Sequence, residues 1–288
     1  MTLSQKKMYS YLFLLPAGII YFAFYLLPTF MSLFFSLTRW TLTKWQFIGL
    51  DNYKMFFEET SLKIGFKNTL IFAVVTCGLK VILALLLATL LTSKIWLKDY
   101  FRSMVFFPTL LSTIAVGIAF STMMHPTSGV INTALAALGI EGPDWLGNTK
   151  LALYSVAFID VWKGVGIATV IYIAGIMSIP QHYYEALKID GGNAFRSFWH
   201  ITLPLSRPAM NSVIILAFIG GLRTFDLIWA TTRGGPGFST DLIASIIYKQ
   251  YQAGFYGLAT AGNVILFIGI SVLAFPLYMF LSKQEVDL

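Results

Sequence analysis

Apolar residues run through this 288-residue chain in long blocks separated by short polar segments. About 20 consecutive apolar residues form a helix long enough to cross a bilayer. Blocks of that size fall at about 10–37, 68–92, 103–124, 151–178, 209–230 and 258–281. The pattern predicts an all-α polytopic membrane protein with six transmembrane helices, both termini on one side. No charge occurs between Lys7 and Arg39, a stretch too long for the apolar part of a cleaved leader. It reads as a retained first helix. Pro108 falls in the first turns of the third block, and the second is interrupted by Lys80.

The largest polar interruption between late spans is YEALKIDGGNAFRSFWHITLPLSRP, residues 184–208. Glu185 and Ala186 open a helix-compatible run, and Asp190-Gly191-Gly192 breaks it. Phe198, Ile201 and Leu203 follow before Pro204 and Pro208 stop the second run. The pattern predicts a helix–turn–helix outside the bilayer. Glycine at 191 tolerates positive φ and lets the backbone reverse. Glu185 is expected near a helix N-terminus, where an acid suits the helix dipole.

Composition narrows the class. The chain is 57% hydrophobic and 11% charged, with mean hydropathy +0.74. Soluble domains carry roughly 25% charged residues. The net charge of +7 does not indicate nucleic acid, because the basic residues are scattered between apolar blocks. The single cysteine, Cys77, excludes an internal disulfide and a cysteine-based metal site. His125, His182 and His200 lack metal spacing, and no nucleophilic triad is evident. No Gly-x4-Gly-Lys-Ser/Thr loop is present, so the chain is not expected to bind ATP in that manner or to act as an enzyme.

Orientation follows short basic loops. Lys6, Lys7, Lys94, Lys98, Arg102, Lys188, Arg196, Arg207 and Lys283 fall on one side, concentrated beside helix ends. The other side also holds basic residues, together with Asp51, Glu58, Glu59, Glu141, Asp144 and Asp241. Both termini and the 180–208 segment are therefore expected in the cytoplasm. Trp40, Trp45, Phe47, Phe56 and Phe57 are expected at the opposite interface.

With these features in place, the 184–208 segment resembles the cytoplasmic coupling loop of type I ABC importer permeases. That pattern reads E-A-A, three residues, G, nine residues, I-x-L-P. Here Glu185-Ala186-Leu187 leads to Asp190-Gly191, and Ile201-Thr202-Leu203-Pro204 closes the motif at the fitting spacing. Leu187 departs, standing where the motif has alanine. YLFLLPAGIIYFAFYLLPTFMSLFFSLTRW and FDLIWATTRGGPGFSTDLIASIIYKQYQ resemble the carbohydrate-uptake branch, in particular its maltose-type first permease. The resemblance implies a type I permease core over 67–282, preceded by an added helix and extracytoplasmic loop in 1–66. It implies a second, different permease, an ATPase dimer holding ATP and magnesium, an extracytoplasmic solute-binding protein, and a sugar substrate, oligosaccharide by branch. The chain itself would need no cofactor. The implied location is a bacterial or archaeal plasma membrane.

Ionisable residues inside spans are costly and mark candidate pathways. Asp160 and Lys163 stand three apart on the fourth span and are expected to face one another, either for mutual neutralisation or as pathway lining. Trp162 between them offers a ring face to a sugar. Asp226, beside Arg223, Phe225 and Trp229, forms a similar set in the fifth span. Asn263 is a lone amide in the sixth, its hydrogen bonds to be met internally. Lys80 is expected to snorkel. Two other readings stay open: a same-fold permease for a solute such as glycerol phosphate, and an ion-coupled secondary transporter using Asp160.

Overall fold

The computed structural model describes residues 11–93 and 95–283. Lys6, Lys7 and Lys94 from the orientation argument lie outside the described residues. The chain divides into two compact units: residues up to Glu59 with Ile247–Ile265, and Thr60–Ile246 with the residues from Leu266 onward.

The first unit opens with α1 (Leu12–Phe35), none of whose apolar window is buried within the chain. Such a helix must find its apolar surroundings in lipid or another subunit. It widens to a π turn at Phe22–Leu26, just before Pro28. Pro28 lacks an N–H and its ring crowds the carbonyl four residues back, so the ladder slips by one residue. The hairpin β1 (Thr38–Thr41) and β2 (Lys44–Phe47) follows, pairing Trp40 with Trp45. Next comes α2 (Asp51–Glu58), whose Asn52 amide donates to the carbonyls of Ser36 and Thr38 at 2.8 Å each. Phe56 is fully buried against Gly262. Phe35 stacks on Trp40 at 4.3 Å, and Trp40 meets Tyr256 at 5.5 Å.

The second unit is built on α3 (Thr60–Thr92), α7 (Ala152–Met177) and α10 (Arg207–Leu222). Between the first two come α4 (Lys98–Leu110), α5 (Thr113–Met123) and α6 (Val130–Ala137). Phe72 of α3 packs with Leu153, Val156 and Ile159 of α7 in one apolar cluster. Ala84 and Ala88 of α3 pack with Ala168 and Tyr172 of α7 and Val213 of α10 in another. Small residues let the helix backbones approach, as is usual between helices in lipid. A side chain at Gly221 of α10 would meet Ala73 Cα of α3 at 2.7 Å. The Asn68 amide of α3 donates to the carbonyls of Ser239 at 3.0 Å and Asp241 at 3.1 Å, tying down the loop that begins at Gly234.

The remaining elements are α8 (Gln181–Ile189), α9 (Ala194–Leu205), α11 (Asp226–Thr231), α12 (Ile243–Gln252) and α13 (Tyr256–Ser282). Four helices, α1, α3, α7 and α13, are each long and apolar enough to cross a membrane. The pairs α4–α5 and α9–α10 pass the same test but are bent by 97° and 67°. Counting each pair as one span gives the expected six.

Three span limits differ from expectation. The second helix starts at Thr60, eight residues early. The third is not continuous: Pro108 lies near the end of α4, and Leu111 and Ser112 are extended before α5 turns away. The fifth stops at Leu222 rather than near 230, and Asp226–Thr231 is a separate short helix. Apolar composition carried the sequence count across both breaks because it does not register backbone direction. Replacing Asn68 by Ala is expected to destabilise the protein by about 1–3 kcal/mol, since buried carbonyls lose their donor. A lowered melting temperature of the purified protein checks this.

Candidate functional site

The polar segment after α7 forms two short helices at a sharp turn. Ile179 is buried, and Pro180 is extended and starts α8. Glu185 therefore stands in the middle of α8, not near its N-terminus, because the helix begins four residues earlier than the motif suggests. Gly191 adopts φ +74°, as expected of the turn glycine, and the Gly192 N–H donates to the Leu187 carbonyl at 2.8 Å. This closes the C-terminus of α8. Any side chain at Gly192 would run into Leu187. Leu187 thus packs against the turn, which accounts for a larger residue there. Asn193 Oδ1 caps α9 by accepting from the Arg196 N–H at 2.9 Å.

Helix α9 is anchored and its turn is not. Ile201 and Thr202 are buried, and Phe198 and Leu203 pack on the cluster containing Tyr172 and Val213. The hydroxyls of Tyr184 and Thr202 meet at 3.1 Å, pinning α8 to α9. The run ends at Leu205, between Pro204 and Pro208 as expected, and α10 leaves it at 67°. Pro208 sits in the first turn of α10, where a missing N–H costs nothing. A π turn at Phe198–Thr202 precedes Pro204, for the reason given for Pro28. The far end exposes Glu185, Ala186, Asp190 and Gly191. It also exposes large apolar groups that the motif does not mark: Ile189 is 86% exposed and Phe195 71%. Their apolar character inside a polar loop was the available signal. An exposed apolar patch rimmed by polar residues is the usual form of a protein docking surface.

The intramembrane candidates fall in different places. Asp160 does not pair with Lys163. Its Oδ2 lies 2.6 Å from Nζ of Lys80, across from α7 to α3, with side chains only 20% and 11% exposed. Lys80 does not snorkel, because about 18 Å of helix separates it from the end of α3, at 1.5 Å per residue. Lys163 uses its backbone carbonyl to accept from Thr109 Oγ1 at 3.0 Å, joining α4 to α7. Trp162 is 37% exposed and packs on Phe120 of α5 at 5.2 Å. Asp226 is exposed at the start of α11, where its charge suits the helix N-terminus, and Phe225 stacks on Trp229 at 5.7 Å. Gly117 of α5 lies against Ala230 of α11, so the helices that follow the two breaks touch. Asn263 is exposed rather than satisfied internally, and it belongs to the other unit. Among the described residues no group of three metal-ligating side chains gathers.

The model of the binding-protein-dependent transport system inner membrane components matches residues 80–284. The chain belongs to this family. Relatives extend the likeness over nearly the whole chain. It is 30% identical to the probable ABC transporter permease protein YurN of Bacillus subtilis, over 98% of this chain and 99% of that one. It is 32% identical to the multiple sugar-binding transport system permease protein MsmF of Streptococcus mutans, over 97% of each. The trehalose/maltose transport system permease protein MalF of Thermococcus litoralis is also 32% identical, over 90% and 88%. In fold, the inner membrane component resembles a chain of a bacterial alginate ABC transporter, with a TM-score of 0.80 at 24% identity over 95% and 92%. Tyr184→Phe is expected to loosen α8 from α9 by about 1 kcal/mol. Faster proteolysis around Gly191, with unchanged insertion, checks it.

Proposed function

We propose that this inner membrane component is the permease subunit of an ATP-driven, binding-protein-dependent sugar importer, with an oligosaccharide as its solute. It forms the pathway with a second permease. An ATPase dimer binds ATP and magnesium on the cytoplasmic side, and a solute-binding protein delivers sugar from outside. The transport core is 67–282, and both termini face the cytoplasm. The substrate class is supported by the relatives' sugar and oligosaccharide names, which include arabinooligosaccharides in Bacillus subtilis. The solved alginate transporter is in complex with an alginate pentasaccharide-bound periplasmic protein.

The observation that carries the coupling role is the 181–205 loop. Its base is packed on the helix core through Phe198 and Leu203, while its tip is exposed and partly apolar. A rigid knob of this kind transmits force. Only three residues, 178–180, separate α7 from α8, so displacement of the tip reaches α7 directly. Glu185, Ala186, Asp190 and Gly191 form its working end, and Ile201, Leu203 and Pro204 hold its base.

The proposed solute path runs past the two helix breaks. Non-helical backbone at membrane depth is tolerated where it is buried in protein or lines a watery cavity. Trp162, Lys163 and Asp226 lie near those breaks, with rings and charges suited to sugar faces and hydroxyls. Asn263 is an exposed amide that a pathway shared with the second permease would use. The ion-coupled alternative would rely on Asp160, whose charge is already met by Lys80.

Gly191→Val forces a β-branched residue to positive φ. Uptake by the reconstituted importer is expected to fall about five- to thirtyfold, as a cost of roughly 1–2 kcal/mol at the turn misplaces the tip. Membrane insertion should persist. Unchanged uptake would contradict the coupling role. Uptake that survives loss of the ATPase but collapses with a protonophore would favour the ion-coupled reading.

A further inference from the structure

The Lys80–Asp160 pair inside the second unit is not part of the loop, and each group neutralises the other. We infer that Lys80 and Gly164 are positioning residues for transport: with Asp160 they fasten α3 to α7, so that both helices move as one body when the 181–205 loop is driven. The inference rests on the importer reading given above.

Three observations meet at this point. First, the ammonium reaches Asp160 only by crossing Gly164. A Cβ on Gly164 would stand 2.7 Å from Cε and 2.9 Å from Nζ of Lys80. Gly164 is one turn beyond Asp160, so the lysine lies along α7 and ends on the carboxylate at 2.6 Å. Second, the pair sits within the α3–α7 seam between two apolar clusters. Phe72, Val156 and Ile159 lie on one side, and Ala84, Ala168 and Tyr172 on the other. Third, the loop follows α7 directly, whereas α3 meets the loop's base only through the apolar cluster that holds Ala84 and Ala88. Without a tie, α3 would follow only through apolar packing, which permits sliding.

The alternative is a gate that opens at this seam during the cycle. Opening would leave a bare ammonium and a bare carboxylate inside spanning helices. Each disfavours the open form by roughly a hundredfold in population. That penalty favours a permanent fastening.

The test uses the complete transporter in proteoliposomes, with its second permease, ATPase and binding protein. The probes are labelled maltose, trehalose and arabino-oligosaccharides. Cys77 is first replaced by Ala, and Lys80→Cys is combined with Asp160→Cys. A short bifunctional thiol reagent then ties α3 to α7 covalently. Uptake per assembled complex, and sugar imported per ATP hydrolysed, should be low in the untied double-cysteine protein and return on tying to within about threefold of the unaltered transporter. Failure of the thiols to join although each reacts singly, or no recovery on tying, would overturn the inference. In parallel, Lys80→Met and Gly164→Val should each lower sugar imported per ATP at least about tenfold. Lys80→Met with Asp160→Leu leaves no bare charge but also no tie, so it should stay at least about tenfold below the unaltered transporter. Recovery to within about threefold in the double variant would show that only the bare charge mattered and would also overturn it. If the unaltered transporter shows no ATP-dependent uptake of any probe, the functional reading fails instead.

Discussion

Charge cannot stand alone in hydrocarbon, and the second unit is arranged around that constraint. A lysine or aspartate at the centre of a spanning helix costs about 2.5–3.5 kcal/mol when unpaired. Lys80 and Asp160 meet at 2.6 Å across two helices, and the meeting fixes how α3 and α7 lie against each other. Gly164 supplies the opening through which the ammonium passes. The adjoining alanines let the backbones come close enough for the pair to form. The same rule governs the C-terminal end of α3, where Arg102 donates to the Leu91 carbonyl at 3.0 Å and covers a helix C-terminus with a cation.

Backbone polar groups obey the constraint as strictly as side chains. Where α4 gives way to α5, and α10 to α11, peptide groups leave the helical ladder at a depth the apolar blocks assign to the membrane. The helices that follow the breaks answer by packing on one another, with Gly117 against Ala230. Thr109 reaches the Lys163 carbonyl on α7. These breaks give the second unit an interior that is not uniformly apolar. The first unit solves a different problem. Its β-hairpin and the Tyr256 end of α13 are joined by aromatic rings that are partly apolar and partly able to hydrogen-bond, the composition favoured at a membrane boundary.

Much of this was legible in the sequence, for identifiable reasons. Apolar block length reports spans because hydrocarbon thickness is fixed. The 184–208 loop was legible because its polar content, Gly191 and the closing Ile201-Thr202-Leu203-Pro204 form a local pattern. The fold then places Gly191 at positive φ, where the pattern needs it. What was not legible was non-local or directional. Lys163 is three residues from Asp160 and was the natural partner by helical spacing, yet the true partner is 80 positions away. Nothing in composition distinguishes a straight span from one bent at Leu111-Ser112. The start of α8 was misplaced by four residues because Gln181, His182 and Tyr183 carry no strong helix-start signal. That error moved Glu185 from mid-helix to the terminus.

The central proposal is that force enters the inner membrane component through the 181–205 loop. The direct measurement places a photo-crosslinking residue at Phe195, on the exposed tip, and at Phe267, on an exposed face of α13, in the assembled transporter. Crosslinked products are then identified by mass. Position 195 is expected to capture the ATP-hydrolysing subunit, and position 267 is not. Capture of the extracytoplasmic binding protein at Phe195, or of no subunit at all, would contradict that proposal.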